Sequence, residues 1–169
     1  MILERFYPDE TCDSTYQINY EERYAQGIRG VIFDIDNTLV PHGAPADKRC
    51  MELFKRLHQI GYETCLLSNN QLERVKTLAD AVGARFIENA HKPARGNYLK
   101  AMELMGTDVN STLYIGDQIF TDVWGAKRCG IPNILVAPIH PKEEIQIVLK
   151  RYLEKIVLRS YEKHRGRHV

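Results

Sequence analysis

From residue 30 onward the chain alternates between two rhythms. Short segments rich in apolar and β-branched residues, several opening on a polar one, have the pattern of strands in a buried parallel sheet. They alternate with longer stretches whose apolar residues recur at helical spacing. The runs at 31–33, 63–67, 85–87, 111–115 and 133–136 predict five strands. The stretches 47–60, 71–82, 94–105 and 121–129 predict helices, with Gly61, Gly83, Gly106 and Gly130 just past their ends. On 47–60 the apolar face is Met51, Phe54 and Leu57. A last helix starts at Pro141 and carries Ile145, Val148, Leu149, Tyr152 and Ile156 at helical spacing. That face is expected to pack on the sheet. Residues 1–29 read differently, as a polar lead-in with isolated apolar anchors such as Phe6, Tyr7, Tyr16, Ile18 and Tyr20. Strand–helix alternation predicts an α/β fold with a parallel, Rossmann-like sheet. Helices cover both faces in three layers, joined by right-handed crossovers.

Composition narrows the picture. The 169 residues suit one domain with a substantial core. We divide them into a lead-in packed on or near the core (1–29), a catalytic domain (30–158) and a basic tail (159–169). A net charge of +1 leaves no global field to attract nucleic acid. The charge is uneven, however: 1–27 holds six acids against Arg5 and Arg23, and 150–169 holds seven bases against Glu154 and Glu162. Cys12, Cys50, Cys65 and Cys129 form no C-x-x-C pair, the pattern of reduced thiols in a cytosolic protein. With no signal-peptide layout and no bilayer-length apolar run, the expected location is the cytoplasm, with peripheral contact to the inner face of an anionic membrane through the basic segment.

Chemistry concentrates at the strand ends. The first strand runs into Asp34-Ile35-Asp36, and positions i and i+2 share a side. Two carboxylates then face one spot at the carboxyl edge of the sheet, where ligands bind in open α/β folds, and they call for a cation or a shared proton. Ser68 follows the second strand, with Asn69 as its rival for a helix cap. Either suits an anionic phosphate at a helix N-terminus. Lys92 follows the third strand, and Pro93 holds it extended. Asp117 follows the fourth, after Gly116, which permits a tight exit. Asp122 reads as a helix cap before it reads as a ligand. His91, beside Lys92, reads as exposed or structural. Carboxylates without histidine favour a hard cation with oxygen ligands, hence Mg²⁺. Together these groups make a site for a phosphoryl dianion, with an aspartate as nucleophile and a second as acid and base.

These residues resemble the haloacid dehalogenase (HAD) superfamily of phosphatases. Its four motifs appear in order as Asp34-Ile-Asp-Asn-Thr, Ser68, Lys92 and Gly116-Asp117. The resemblance implies Asp34 as nucleophile, Asp36 as general acid and base, and Ser68, Asn69 and Lys92 as phosphate binders. It also implies Mg²⁺ held by Asp34, the Asp36 backbone carbonyl and Asp117. Two positions depart from the family pattern. Asn37 stands where many relatives have glycine, and Asp122 is separated from Asp117 rather than adjacent to it. Within the superfamily, Asp36-Asn-Thr-Leu-Val-Pro, His91-Lys-Pro and Gly116-Asp-Gln-Ile-Phe-Thr-Asp-Val-Trp-Gly-Ala are similar to the YqeG group of subclass IIIA. That group is similar to phosphatidylglycerophosphate phosphatases, which makes a membrane lipid phosphate the expected phosphomonoester substrate.

Spacing adds an independent expectation. Asp34 and Ser68 have 33 residues between them, and Ser68 and Lys92 have 23, each interval filled by one helix and one strand. No cap domain fits, so the site is expected to be open to a large or surface-bound substrate. Two alternatives remain: a soluble sugar phosphate, nucleotide or phosphoprotein as substrate, or a phospho-acceptor signalling domain. Signalling domains place the phosphorylated aspartate after a middle strand and the lysine after the last. Here Asp34 follows the first strand and Asp117 comes after Lys92.

Overall fold

Val31 and Phe33 pack with the helices on one face of the sheet, and Ile32 with those on the other. This alternation, in a run buried on both sides, is what makes residues 30–33 a central strand. In the computed structural model, residues 2–140 and 145–166 are described, the side chains of 145–147 excepted. The strands are β1 (Glu10–Cys12), β2 (Gly30–Phe33), β3 (Glu63–Leu67), β4 (Arg85–Ile87), β5 (Thr112–Gly116) and β6 (Asn133–Val136). The helices are α1 (Tyr20–Ala25), α2 (Lys48–Ile60), α3 (Leu72–Val82), α4 (Gly96–Met105), α5 (Trp124–Arg128) and α6 (Ile145–Arg165), with a π-helical turn at Ile119–Val123 before α5.

All six strands are parallel, in the order β1-β6-β5-β2-β3-β4. The chain winds outward from β2 through β3 to β4, then returns to the other side of β2 with β5 and β6. The strand order therefore reverses beside β2, the kind of switch point where such sheets bind ligands. One core layer joins Val31, Phe33 and Leu66 to Phe54 and Leu57 of α2 and Val75 and Leu78 of α3. The opposite layer joins Ile32, Cys65 and Leu67 to Tyr98 and Met102 of α4 and Ala126 of α5. This is the expected three-layer α/β fold. β2 leads directly to α2 and β3 to α3, so no cap domain is inserted.

The structure corrects several details. The lead-in contributes a sixth strand: β1 pairs in parallel with β6, and Asp9 accepts hydrogen bonds from the main-chain and side-chain nitrogens of Asn133. On α2 Phe54 and Leu57 are buried as expected, with Cys50 and Leu53 completing the face, while Met51 is exposed because Cys50 holds the inward place one turn before Phe54. α4 begins at Gly96 rather than residue 94. The expected helix at 121–129 is split into the π turn and α5. Gly61, Gly83 and Gly106 do close α2, α3 and α4 in the left-handed conformation.

The largest correction concerns α6. Val148, Leu149, Tyr152 and Ile156 face solvent instead of the sheet. Its inward side is Glu154 and Val157, backed by Leu158 and Tyr161, which meet Tyr7, Ile119, Val123 and Leu135. Helical spacing marks a stripe but carries no information on which way it points. Two polar anchors help set the direction here: Arg151 is bonded to Asp117, and Glu154 accepts from the Ile119 amide at 2.8 Å. The expected start at Pro141 and the Ile145 side chain lie outside the described residues, as do 167–169 of the basic segment. Residues 159–165 of that segment are helical, the last turns of α6.

Candidate active site

The site is built on the carboxyl edge at the reversal point. The Asp34 amide donates to the Ile115 carbonyl at 2.9 Å, extending the β2–β5 pairing one residue past β2. That holds Asp34 rigidly at the sheet edge while Ile35, fully buried, turns into the core. The chain then folds back tightly, with the Asn37 amide donating to Val40 and the Thr38 and Leu39 amides to Ile35. Asn37 takes φ 62°, a left-handed conformation that Asn tolerates better than most non-glycine residues. This accounts for Asn at position 37, where the chain needs a left-handed residue.

Asp34 is nearly buried and has two partners. Lys92 Nζ donates to its Oδ1 at 2.8 Å, and Thr38 Oγ1 lies 3.3 Å from its Oδ2. The same Thr38 hydroxyl is 3.1 Å from Asp117 Oδ1, so it sits between the two carboxylates. Lys92 also donates to Asp122 Oδ1 at 2.7 Å, and the Tyr114 hydroxyl donates to that oxygen at 2.7 Å. Asp122 is therefore not simply a cap. Its Oδ2 accepts from the Gln118 amide at the head of the π turn, while its Oδ1 belongs to the buried cluster. Gly116 makes room for it: a Cβ there would lie 2.5 Å from the Asp122 carboxyl. Arg151 of α6 closes the far side, donating to both the carboxylate and the backbone carbonyl of Asp117 and, at 3.0 Å, to Glu154.

These contacts define the electrostatics. Among the described residues, Asp34, Asp117, Asp122 and Glu154 are ion-paired with Lys92 and Arg151, four acids to two bases in a buried cluster. Burial, with Asp122 and Asp117 nearby, pushes the Asp34 carboxyl well above its ordinary range against the pull of Lys92. Burial and Asp122 push Asp117 up to about 6, against the pull of Arg151. Burial alone would weaken the Lys92 ammonium, but Asp122 and Asp34 hold it charged. Carboxylate oxygens of Asp34, Asp117 and Asp122 lie within 4.8 Å of one another. A hard divalent cation fits this donor set and charge balance.

A cleft of about 210 Å³ opens above the cluster, lined by Asp34, Asp36, Ser68, Asn69 and Lys92 among the expected residues. Asn70, Gln118, Thr121, His42 and Lys150 complete it. Ser68 is buried; its Oγ accepts from the Asn70 amide at 3.1 Å, leaving the hydroxyl proton to donate. It is not the cap of α3, whose N-cap position is Gln71. The Asn69 side chain grips the Lys92 main chain, accepting from its amide at 2.8 Å and donating to its carbonyl at 3.4 Å. Asp36 lines the cleft with Asp34 but takes separate partners. Its carboxylate accepts from the Gly43 amide at 2.8 Å, from Arg74 at 2.9 Å and from Asn70. Burial would raise its pKa, but these donors outweigh it and hold the carboxyl below the usual range. His91 is exposed and apart from the cluster.

Several participants were given no role by sequence reasoning, among them Thr38, Tyr114, Arg74 and Arg151. Thr38 and Tyr114 carried a signal, since each lies within four residues of a predicted aspartate. Arg74 and Arg151 carried none, being 38 and 34 residues from the carboxylates they hold.

Comparison with known proteins agrees with this geometry. Residues 47–130 match the family described as haloacid dehalogenase-like hydrolase. The chain is 33% identical over 159 residues to the Bacillus subtilis protein named "Probable phosphatase YqeG", covering 94% of this chain and 92% of that one. It is 27% identical over 161 residues to Arabidopsis thaliana phosphatidylglycerophosphate phosphatase 1, covering 85% of this chain but only 44% of that protein's length. The crystal structure of Moraxella catarrhalis 3-deoxy-D-manno-octulosonate 8-phosphate phosphatase, in complex with magnesium, phosphate and KDO, shares the fold. It superposes with a TM-score of 0.52 at 15% identity, over 70% of this chain and 73% of that one. From the sheet edge, the ordered motifs and a relative matching along nearly its whole length, the chain belongs to the haloacid dehalogenase-like hydrolase family and is an enzyme of its phosphatase type.

Proposed function

We propose that the protein is a Mg²⁺-dependent phosphomonoesterase that works through a phosphoaspartate on Asp34, with a lipid phosphate of the phosphatidylglycerophosphate type as substrate. The observation that carries the reading is the buried cluster itself. Asp34 is held at the cleft floor by Lys92 and Thr38, beside Asp117, with carboxylates outnumbering the bases they pair with among the described residues. Such a group is poised for a cation and a phosphoryl dianion together.

In this reading the substrate phosphate lies between Lys92, the Ser68 hydroxyl and the main chain of the Ser68–Asn70 turn. The Asp34 carboxylate attacks phosphorus in line, the bond to the leaving oxygen breaks, and Asp36 supplies the proton that oxygen needs. Water deprotonated by Asp36 then cleaves the acyl phosphate, releasing inorganic phosphate and restoring Asp34. Asp36 is held by Arg74 and Asn70 in this structure, so it must leave them to protonate a leaving group. Asp34, the Asp36 carbonyl and Asp117 would hold the metal, with Asp122 positioning Lys92. Bound there, Mg²⁺ would keep Asp34 ionised and neutralise the phosphoryl oxygens.

The lipid substrate is supported by the named activity of the Arabidopsis relative and by the open, capless cleft. A second reading, a soluble sugar phosphate, fits the same cleft of about 210 Å³. Phosphate release separates them. Phosphatidylglycerophosphate in mixed micelles should be turned over with Mg²⁺ far faster than soluble phosphomonoesters. Preference for a soluble ester would remove the lipid reading, and no Mg²⁺-dependent release from any ester would remove both.

A further inference from the structure

Ten large apolar side chains stand exposed among the described residues, and five of them are on α6. Val148, Leu149, Tyr152, Leu153 and Ile156 are each between 50 and 70% exposed. At 3.6 residues per turn they form one sector of the helix, turned away from Glu154, Val157 and Tyr161, which face the core. Single exposed apolar residues are ordinary, whereas a contiguous group marks a surface that meets something.

Among the described residues of α6, the exposed charges beside this patch are mostly basic. Lys155 borders it, and Arg159 and Lys163 continue the same side toward the C-terminal end, where Glu162 is the exposed acid. At its other end the patch reaches the active site. Lys150 lines the catalytic cleft, and Arg151, between Leu149 and Tyr152, is bonded to Asp117. The patch is thus fastened to the catalytic cluster by its own helix.

We propose that this face of α6 docks the protein on an anionic lipid bilayer. The helix lies along the interface with its apolar sector in the boundary between headgroups and acyl chains, and Lys155, Arg159 and Lys163 rest against anionic headgroups. Tyr152, apolar with a polar tip, suits that depth. No helix among the described residues is long and apolar enough to cross a membrane, so the contact is one of lying on the surface. A second copy of the chain is a poorer occupant. Pairing two such faces brings lysine and arginine against like charge or apolar residues, with Glu162 the exposed acid among the described residues of α6. Docked in this way, the cleft opens at headgroup level. The docking deepens the lipid-phosphate reading and rests on it for what enters the cleft, but it can be measured without turnover.

The experiment is flotation of the full chain with vesicles of phosphatidylcholine, alone or with phosphatidylglycerol. The partner variant is Tyr152→Glu/Ile156→Glu, at two side chains that are at least half exposed and outside the catalytic cluster. Wild type should float with the anionic vesicles and not the neutral ones. The variant should lose at least about tenfold in binding while hydrolysing p-nitrophenyl phosphate in solution as wild type does. Lys155→Glu/Arg159→Glu should abolish the preference for anionic vesicles. Flotation of the first variant equal to wild type, or no flotation of wild type, overturns the proposal. So does a wild-type dimer by sedimentation that the first variant converts to monomer without any vesicle binding. The two readings fail separately. Hydrolysis of phosphatidylglycerophosphate in micelles without flotation overturns docking and leaves the substrate. Flotation lost in the variant, with no lipid hydrolysis by wild type, supports docking and removes the substrate.

Discussion

At the scale of single residues, the buried carboxylates dominate what can be tested. Asp34→Asn should reduce phosphate release by several orders of magnitude, because an amide cannot attack phosphorus. Its melting temperature without metal should not fall, since burial and two neighbouring acids already disfavour the Asp34 charge. Thermal melts beside the activity assay check both halves. Asp117 gives a signed pH effect. Its carboxyl lies at about 6 in the folded protein against an ordinary 3.8. The native state therefore takes up a proton on folding and loses stability as pH rises through that window, by about 3 kcal/mol in full. In EDTA, Asp117→Asn should gain on wild type from pH 4 to pH 7, and Mg²⁺ should cancel the gain. A flat difference in denaturation free energy across that range would show that the folded carboxyl is not raised. Gly116→Ala should cost 1–3 kcal/mol, roughly the usual range for overpacking. The added methyl meets Asp122 at 2.5 Å, so activity should fall with stability as Lys92 loses its partner.

At the scale of elements, the N-terminal segment supports α6, and α6 supports the site. Tyr7 is buried, its ring meets Tyr161 edge-on at 5.5 Å, and its hydroxyl hydrogen-bonds Ser160 at 2.7 Å. Phe6 packs against Phe120 and Trp124, tying the same turn to the π turn that carries Asp122. Tyr7→Ala should cost about 3 kcal/mol, as for other buried aromatics cut to alanine. Hydrogen exchange should then speed up in α6 while α4, on a separate core cluster, stays protected. Equal protection in both helices would mean that the lead-in does not brace α6.

At the scale of the whole molecule, oxygen chemistry and thiols are kept apart. Cys50, Cys65 and Cys129 are buried, and burial pushes the Cys50 thiol up to about 11 and Cys65 to about 12. Cys12 lies on the edge strand β1, and no cysteine lines the catalytic cleft. Activity should therefore vanish in EDTA, return with Mg²⁺ and survive N-ethylmaleimide in the native protein. Inactivation by the thiol reagent at a rate matching loss of turnover would contradict this layout.

Much of the architecture follows from local pattern. Strands β3, β4 and β6 run over the expected residues, each opening on a polar residue and continuing into the apolar positions that fill the core. Once the sheet is parallel, the ends of its strands share an edge. Asp34, Ser68, Lys92 and Asp117 then converge however far apart they lie in sequence. The edge strand β1 was illegible for the converse reason. Three half-exposed residues, Glu10 to Cys12, leave no pattern, and only the exposed edge of β6 makes them a strand. Arg74 on Asp36 and Arg151 on Asp117 are long-range pairings of ordinary surface-type residues, and only folding brings them to buried carboxylates. The same holds for α6. Periodicity along the chain determined that it carries an apolar stripe. Which side faces inward was decided by tertiary structure, where Arg151, Glu154 and Val157 found partners on the domain and left the stripe to the outside.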